Sequence, residues 1–204
     1  MRKVLLALAA VAMIGSTAFA GKYNKTLSIG DKAPAFEGIP AAIGDKDTSP
    51  LSLASIKEDV VVVVFLANHC PMVGTYDDRV VDLAKKFEGK SVKLVSICVS
   101  GKGYQKVDDL EAIKTRGKEK GYNFAYGYDA SQKIGKAYGA STTPEFFVLD
   151  KARTVRYIGA LDDSADEDKV TKTYVVDAVN ALLSGETIEV TETRPRGCGI
   201  GYAK

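Results

Sequence analysis

Two rhythms of apolar residues run along this chain. Residues 60–67 are an unbroken apolar stretch, five valines followed by Phe65, Leu66 and Ala67. It is too short for a helix and dominated by β-branched side chains, which predicts a strand buried on both faces, as in a parallel sheet. Immediately afterwards the rhythm changes. Val73, Tyr76, Val80, Leu83 and Phe87 recur at spacings of three and four, an amphipathic helix that stops near Gly89. Residues 91–99 are again rich in valine and isoleucine and predict a second buried strand. Residues 108–120 predict a helix with Leu110 and Ile113 inward and Gly121 as its stop.

The second half continues the alternation. Residues 124–128 predict a short strand, and Asp129 or Ser131 caps a small helix reaching Tyr138. Residues 146–150 and 154–159 are strands separated by a polar turn, which is hairpin spacing. Residues 166–184 predict the last long helix, acidic at its start, with Val170, Tyr174, Ala178 and Leu182 inward and Gly185 past its end. Residues 21–50, rich in Gly, Pro, Asp and Ala, predict an N-terminal hairpin and loops laid against the domain. The tail begins with an edge strand and ends in Arg-Gly-Cys-Gly-Ile-Gly. Strand–helix–strand–helix followed by strand–strand–helix gives an α/β fold, a mixed sheet between two helical layers with right-handed crossovers.

The first twenty residues stand apart from that pattern. Arg2 and Lys3 precede an apolar stretch over residues 4–14, and Ala18-Phe19-Ala20 is a small-x-small cleavage site. This is the pattern of a secretory signal peptide, too short to span a membrane, so the expected mature chain starts at Gly21 and is periplasmic or secreted. Its 184 residues suit one domain, residues 21–190, followed by a tail, residues 191–204. Without Arg2 and Lys3 the chain carries 26 basic and 26 acidic residues. That balance offers no basic face for nucleic acid and no polybasic run for a membrane surface, so no stable membrane association is expected after cleavage.

Three cysteines, Cys70, Cys98 and Cys198, are too few and too odd in number for a disulfide scaffold. One histidine and no Cys-x-x-Cys pair leave too few soft ligands for a metal site. Cys70 carries the most chemistry. It falls where the first buried strand turns into a helix, and helix N-termini stabilise anions through unpaired N–H groups and the helix dipole. A thiolate is such an anion and is the reactive form of cysteine. His69 beside it either tunes the thiol as a cation or stands as an exposed loop residue. Pro71 suits the first helical turn, where a missing N–H costs nothing. Cys98 ends the second strand and reads either as a small buried hydrophobe or as a neighbour of Cys70. Cys198, flanked by glycines in a polar tail, has little reason to be a core residue and is expected to be flexible. The acidic run over residues 162–168 is explained by the helix N-terminus that follows it, without calcium.

Four motifs in order resemble the thioredoxin-like superfamily, and more closely the peroxiredoxin-like redoxin family of alkyl hydroperoxide reductase and thiol-specific antioxidant type. They are Asn68-His69-Cys70-Pro71, the Tyr138-Gly139-Ala140 segment leading to Thr143-Pro144, Asp162-Asp163, and Gly197-Cys198-Gly199-Ile200. The resemblance spans about residues 27–200, nearly the whole mature chain. It implies a thioredoxin-like fold with an N-terminal hairpin extension and a C-terminal tail, and a thiol-dependent oxidoreductase with antioxidant activity and no cofactor. Cys70 would be the nucleophile, and a cis Thr143–Pro144 bond would face it. Cys198 would be the resolving thiol or would pair with another chain in a homodimer. A hydroperoxide or a disulfide would be the substrate, and a thiol protein or small thiol the reductant. Glu145 or Arg156 would approach the sulfur, though the sequence singles out no activating Arg, and Arg79, Arg153 and Arg156 all also read as surface charges. The chain departs from relatives at four positions. Val73 stands where thioredoxins carry a second cysteine, Val64 where they bury an acid, and Val63 and Ala67 where peroxiredoxins carry Pro and Thr. Those departures keep two other readings open, a monothiol disulfide reductase or isomerase and a non-catalytic binding module.

Overall fold

A computed structural model describes residues 21–101 and 103–203. The signal-peptide reading of residues 1–20 therefore lies outside the described residues. The apolar run forms β3 (Val60–Phe65) at the centre of the sheet, every residue buried. Val60, Val62 and Val64 pack into one core cluster and Val61, Val63 and Phe65 into the other, the two-residue alternation of a strand covered on both faces. β4 (Val92–Cys98) and β5 (Ala125–Tyr128) extend the sheet in parallel on one side. On the other side β7 (Glu145–Leu149) and β8 (Val155–Gly159) run antiparallel as the expected hairpin. β1 (Ala41–Ile43) and β2 (Lys46–Asp47) are the N-terminal hairpin, and β1 closes the far edge against β5. The strand order is β2-β1-β5-β4-β3-β7-β8.

Three helices cover one face. They are α1 (Pro71–Lys86), α3 (Leu110–Glu119) and α5 (Tyr174–Ser184), which contribute Val73, Ile113 and Val175 among others to the first cluster. The other face is covered by α4 (Lys133–Tyr138) and by N-terminal residues such as Leu27 and Phe36. The five α1 residues expected to face inward are all buried. No helix among the described residues is long and apolar enough to cross a membrane.

Three expectations about element boundaries change. The helix expected over 108–120 divides into α2 (Gln105–Asp108) and α3, because Asp109 takes the cap, accepting the Ala112 N–H at 2.9 Å. Leu110 is only half-buried beside that cap. The last helix begins at Tyr174, eight residues later than expected. Asp163 accepts the N–H groups of Thr171 and Lys172 and holds that approach extended, while Asp166 caps only a short 3-10 turn (Glu167–Lys169). Val175, Ala178, Val179 and Ala181 therefore form the buried face, and Val170, Tyr174 and Leu182 are half-buried. The tail's edge contact with β8 is one parallel bridge between Ile158 and Glu192. The tail then crosses to a separate two-stranded sheet, β6 (Thr142–Thr143) with β9 (Cys198–Gly199).

Candidate active site

Helix α1 places the central cysteine. Cys70 is its N-cap in extended conformation, with Pro71 at the first helical position, and the Val73 N–H returns to the Cys70 carbonyl at 3.0 Å. The thiol is buried, 1% exposed, and donates to the Thr143 carbonyl at 3.0 Å. The Thr143–Pro144 bond is cis. That peptide thus lies against the sulfur, as the sequence led one to expect.

The tail is not a free arm, which corrects the expectation of a mobile C-terminus. β9 pairs antiparallel with β6, and Cys198 lies opposite Thr143 in the register. The Ile200 N–H donates to the Ser141 carbonyl at 2.9 Å. Gly197 passes so close to the Thr143–Pro144 peptide that a Cβ there would overlap the Thr143 carbonyl. This crossing sets Cys198 beside Cys70, near enough for each thiol to shift the ionisation of the other. Burial pushes the Cys70 thiol up. Hydrogen bonds from the Cys198 thiol, the Thr143 side chain and the Val73 and Cys198 backbones outweigh it, so Cys70 lies below its ordinary range. Burial and the sulfur of Cys70 raise Cys198. Of the two thiols, Cys70 is the one that gives up its proton more readily.

His69 turns to a carboxylate rather than to the thiol. Its Nδ1 bonds the Asp108 carboxylate, its backbone N–H donates to the other Asp108 oxygen at 3.1 Å, and its ring stacks on Tyr104 at 3.7 Å. Asp108 is fully buried. The main hydrogen bonds that lower Cys70 come from Cys198, Thr143 and Val73. A cavity of about 80 Å³ opens between His69, Ser100, Tyr104, Thr143, Gly199 and Gly201.

Cys98 is buried and its thiol donates to Ser100 Oγ at 3.3 Å. Burial, then the nearby Asp108 carboxylate, push it up to about 12, so it stays protonated. Glu145 is buried below the Thr143–Pro144 loop and accepts the N–H groups of Ser141 and Thr142 at 2.7 and 3.1 Å. It holds that loop rather than touching the sulfur. Arg156 pairs with Asp150 at 3.2 Å. Arg79 is not a surface charge: it is nearly buried, reaches Asp162 at 2.6 Å and stacks on Tyr76. Arg153 donates to the carbonyls of Ile56 and Glu58, tying the turn after β7 to the segment before β3. Sequence reasoning missed Asp108, Tyr104 and the cluster of Asp77, Arg116 and Tyr122. In that cluster Arg116 joins Asp77 at 2.7 Å and reaches the Asn68 carbonyl at 3.4 Å, anchoring the turn before Cys70.

Comparison with known proteins bears on what such a site does. The model of the AhpC/TSA family matches residues 29–158. Among solved structures, a hypothetical protein from Sinorhizobium meliloti is 30% identical over 88% of this chain and 97% of its own, with a TM-score of 0.79. An uncharacterized conserved protein from Geobacillus kaustophilus is also 30% identical, over 88% of this chain and 95% of its own, with a TM-score of 0.79. A putative thiol:disulfide interchange protein DsbE from Chlorobium tepidum shares the fold at 20% identity, covering 77% of this chain and 99% of its own, with a TM-score of 0.60. A search of curated proteins found no match.

Proposed function

We propose, from the premise that this chain belongs to the AhpC/TSA family, that it is a thiol-dependent peroxidase whose nucleophile is Cys70 and whose resolving thiol is Cys198. One observation carries this reading: Cys70 stands at the N-terminus of α1 with its sulfur against the Thr143 carbonyl, and β9 holds Cys198 beside it, which helps lower the Cys70 pKa. In the first step the Cys70 thiolate attacks the terminal oxygen of a hydroperoxide. The O–O bond breaks, the sulfur is oxidised to a sulfenic acid, and the alkoxide takes a proton and leaves as alcohol or water. In the second step the Cys198 sulfur attacks the sulfenic sulfur, the S–O bond breaks, and a disulfide and water form. Burial and then the Cys70 sulfur raise Cys198; oxidation removes the negative charge from Cys70 and so eases the second of these. Two equivalents of an external thiol, a small thiol or a reductant protein, would return the disulfide to the dithiol.

Glu145 positions Thr143 and Pro144 against the sulfur, and Pro71 sets the first turn of α1. His69, fixed by Asp108 and bordering the cavity, is placed to supply or accept a proton at its rim. The pairing of β9 within its own chain supports an intramolecular disulfide over a linked homodimer. The basic, apolar and small-residue order of the first twenty residues supports export of the mature protein. Second-order rate constants with hydrogen peroxide, measured for the wild type and Cys70→Ser, test the assignment. The wild type is expected to consume peroxide in the presence of a thiol and Cys70→Ser to lose that activity. Equal rates would overturn it, and reaction with disulfides alone would make the protein a thiol:disulfide exchange enzyme instead.

A further inference from the structure

A strand edge beside a reactive sulfur is a ready binding site for an extended polypeptide, because its N–H and C=O groups accept another strand. In this protein that edge is β6, whose Thr143 carbonyl takes the Cys70 thiol. It is already occupied. β9 lies along it antiparallel, with Thr142 opposite Gly199 and Thr143 opposite Cys198. Gly197 allows the close crossing, since any side chain there would meet the Thr143–Pro144 peptide. Beyond β9 the chain stays fastened: the Tyr202 hydroxyl donates to the Ala140 carbonyl at 2.7 Å. Gln132 donates to the Gly201 carbonyl at 2.9 Å and accepts the Ala203 N–H at 2.8 Å. What remains open next to Thr143 is the cavity of about 80 Å³, room for two or three water-sized molecules at about 30 Å³ each.

We propose that residues 197–203 act as a built-in occupant of the polypeptide-binding edge at Cys70, making the docked tail a specificity element that admits small hydroperoxides and excludes extended peptide disulfides. This rests on Cys70 being the nucleophile. The docked tail places its own cysteine where a peptide substrate would place a disulfide, so the same contact that supplies the resolving thiol closes the site to larger partners.

The test compares two full-length chains, Cys198→Ser and Gly197→Val/Cys198→Ser. Two oxidants are used, hydrogen peroxide and an extended ten-residue peptide bearing a cysteine mixed disulfide with 2-nitro-5-thiobenzoate. In the peptide reaction the Cys70 thiolate attacks the peptide sulfur, the S–S bond breaks and the coloured thiolate leaves. With the tail docked, the peptide reaction is expected to be slow. Gly197→Val is expected to speed it by about tenfold or more, equivalent to 1.4 kcal/mol, while the peroxide rate changes far less. Amide exchange at Ile200 reports whether the tail has left β6. Should Gly197→Val fold poorly, Gln132→Ala/Tyr202→Ala/Cys198→Ser releases the same segment from its other end and supplies the comparison. Equal peptide rates with the tail docked and released would overturn the proposal, as would a parallel rise with both oxidants. Failure of Cys70 to react with either oxidant would instead overturn the peroxidase reading, and Cys70→Ser run alongside tells the two apart.

Discussion

Replacing Asp77 by alanine tests the claim that a buried polar cluster holds up the turn before Cys70. Asp77 is 1% exposed on the inner face of α1. Its carboxylate accepts from Arg116 at 2.7 Å and from the Tyr122 hydroxyl, with Lys120 at 3.6 Å. Removing one member of a buried ion pair costs about 3–5 kcal/mol, because the remaining charge is left uncompensated. Arg116 keeps 16% of its side chain in contact with solvent, which favours the lower end, about 3 kcal/mol. For a domain of this size that is a fall in Tm of roughly 6–12 °C. Thermal and urea unfolding of Asp77→Ala, Arg116→Ala and the double variant measure it. The double variant is expected to lose much less than the sum, because the two groups stabilise each other. Asp82→Ala, which removes only the exposed contact with Lys85, should leave the midpoint unchanged. A Tm change below about 2 °C for Asp77→Ala, or simple additivity in the double variant, would refute the reasoning.

Two further outcomes follow from the thiols. Cys198→Ala removes the donor that lowers Cys70, so its thiolate absorbance should appear at higher pH than in the wild type, and alkylation near neutral pH should slow. Cys198→Ser keeps an O–H donor and should hold the midpoint closer to that of the wild type; the reverse order would contradict the hydrogen-bond account. Cys98, pushed up to about 12 by burial, should resist iodoacetamide at pH 8 in the folded protein and label only on unfolding. Labelling at the rate of Cys70 would show that its burial is overstated.

The fold was legible because its strongest signals are local. Five valines in a row and a three–four spacing after Cys70 leave little freedom over β3 and α1, and the polar turn at Lys151 fixes the hairpin. Cys70, Pro71 and the Thr143–Pro144 peptide come together because one follows the central strand and the other precedes its antiparallel neighbour, β7. What stayed hidden depends on contacts between distant segments. Asp108 reaches His69 from a short helix 39 residues along the chain, and nothing in its neighbourhood marks it. Asp77 did leave a trace: it sits four residues after Val73 and three before Val80, a charge on the apolar stripe of α1, which calls for buried donors such as Arg116 and Tyr122. Arg79 read as a surface charge because its partner, Asp162, lies 83 residues further along the chain, beyond β8. The last helix started late because an Asp163 side chain competes for the N–H groups of residues 171 and 172, a local bond that propensity does not weigh. Glycines around Cys198 suggested mobility, yet Gly197 serves close approach to Thr143 instead.

The central claim, that Cys70 is oxidised first and Cys198 then closes on it, is tested most directly by mapping disulfides. The reduced protein is treated with one equivalent of hydroperoxide, blocked, digested without reductant and analysed by mass spectrometry. The account predicts a Cys70–Cys198 link within a single chain, with Cys98 still a free thiol. A Cys70–Cys98 link, or Cys70 found only as sulfinic or sulfonic acid with Cys198 free, would contradict it.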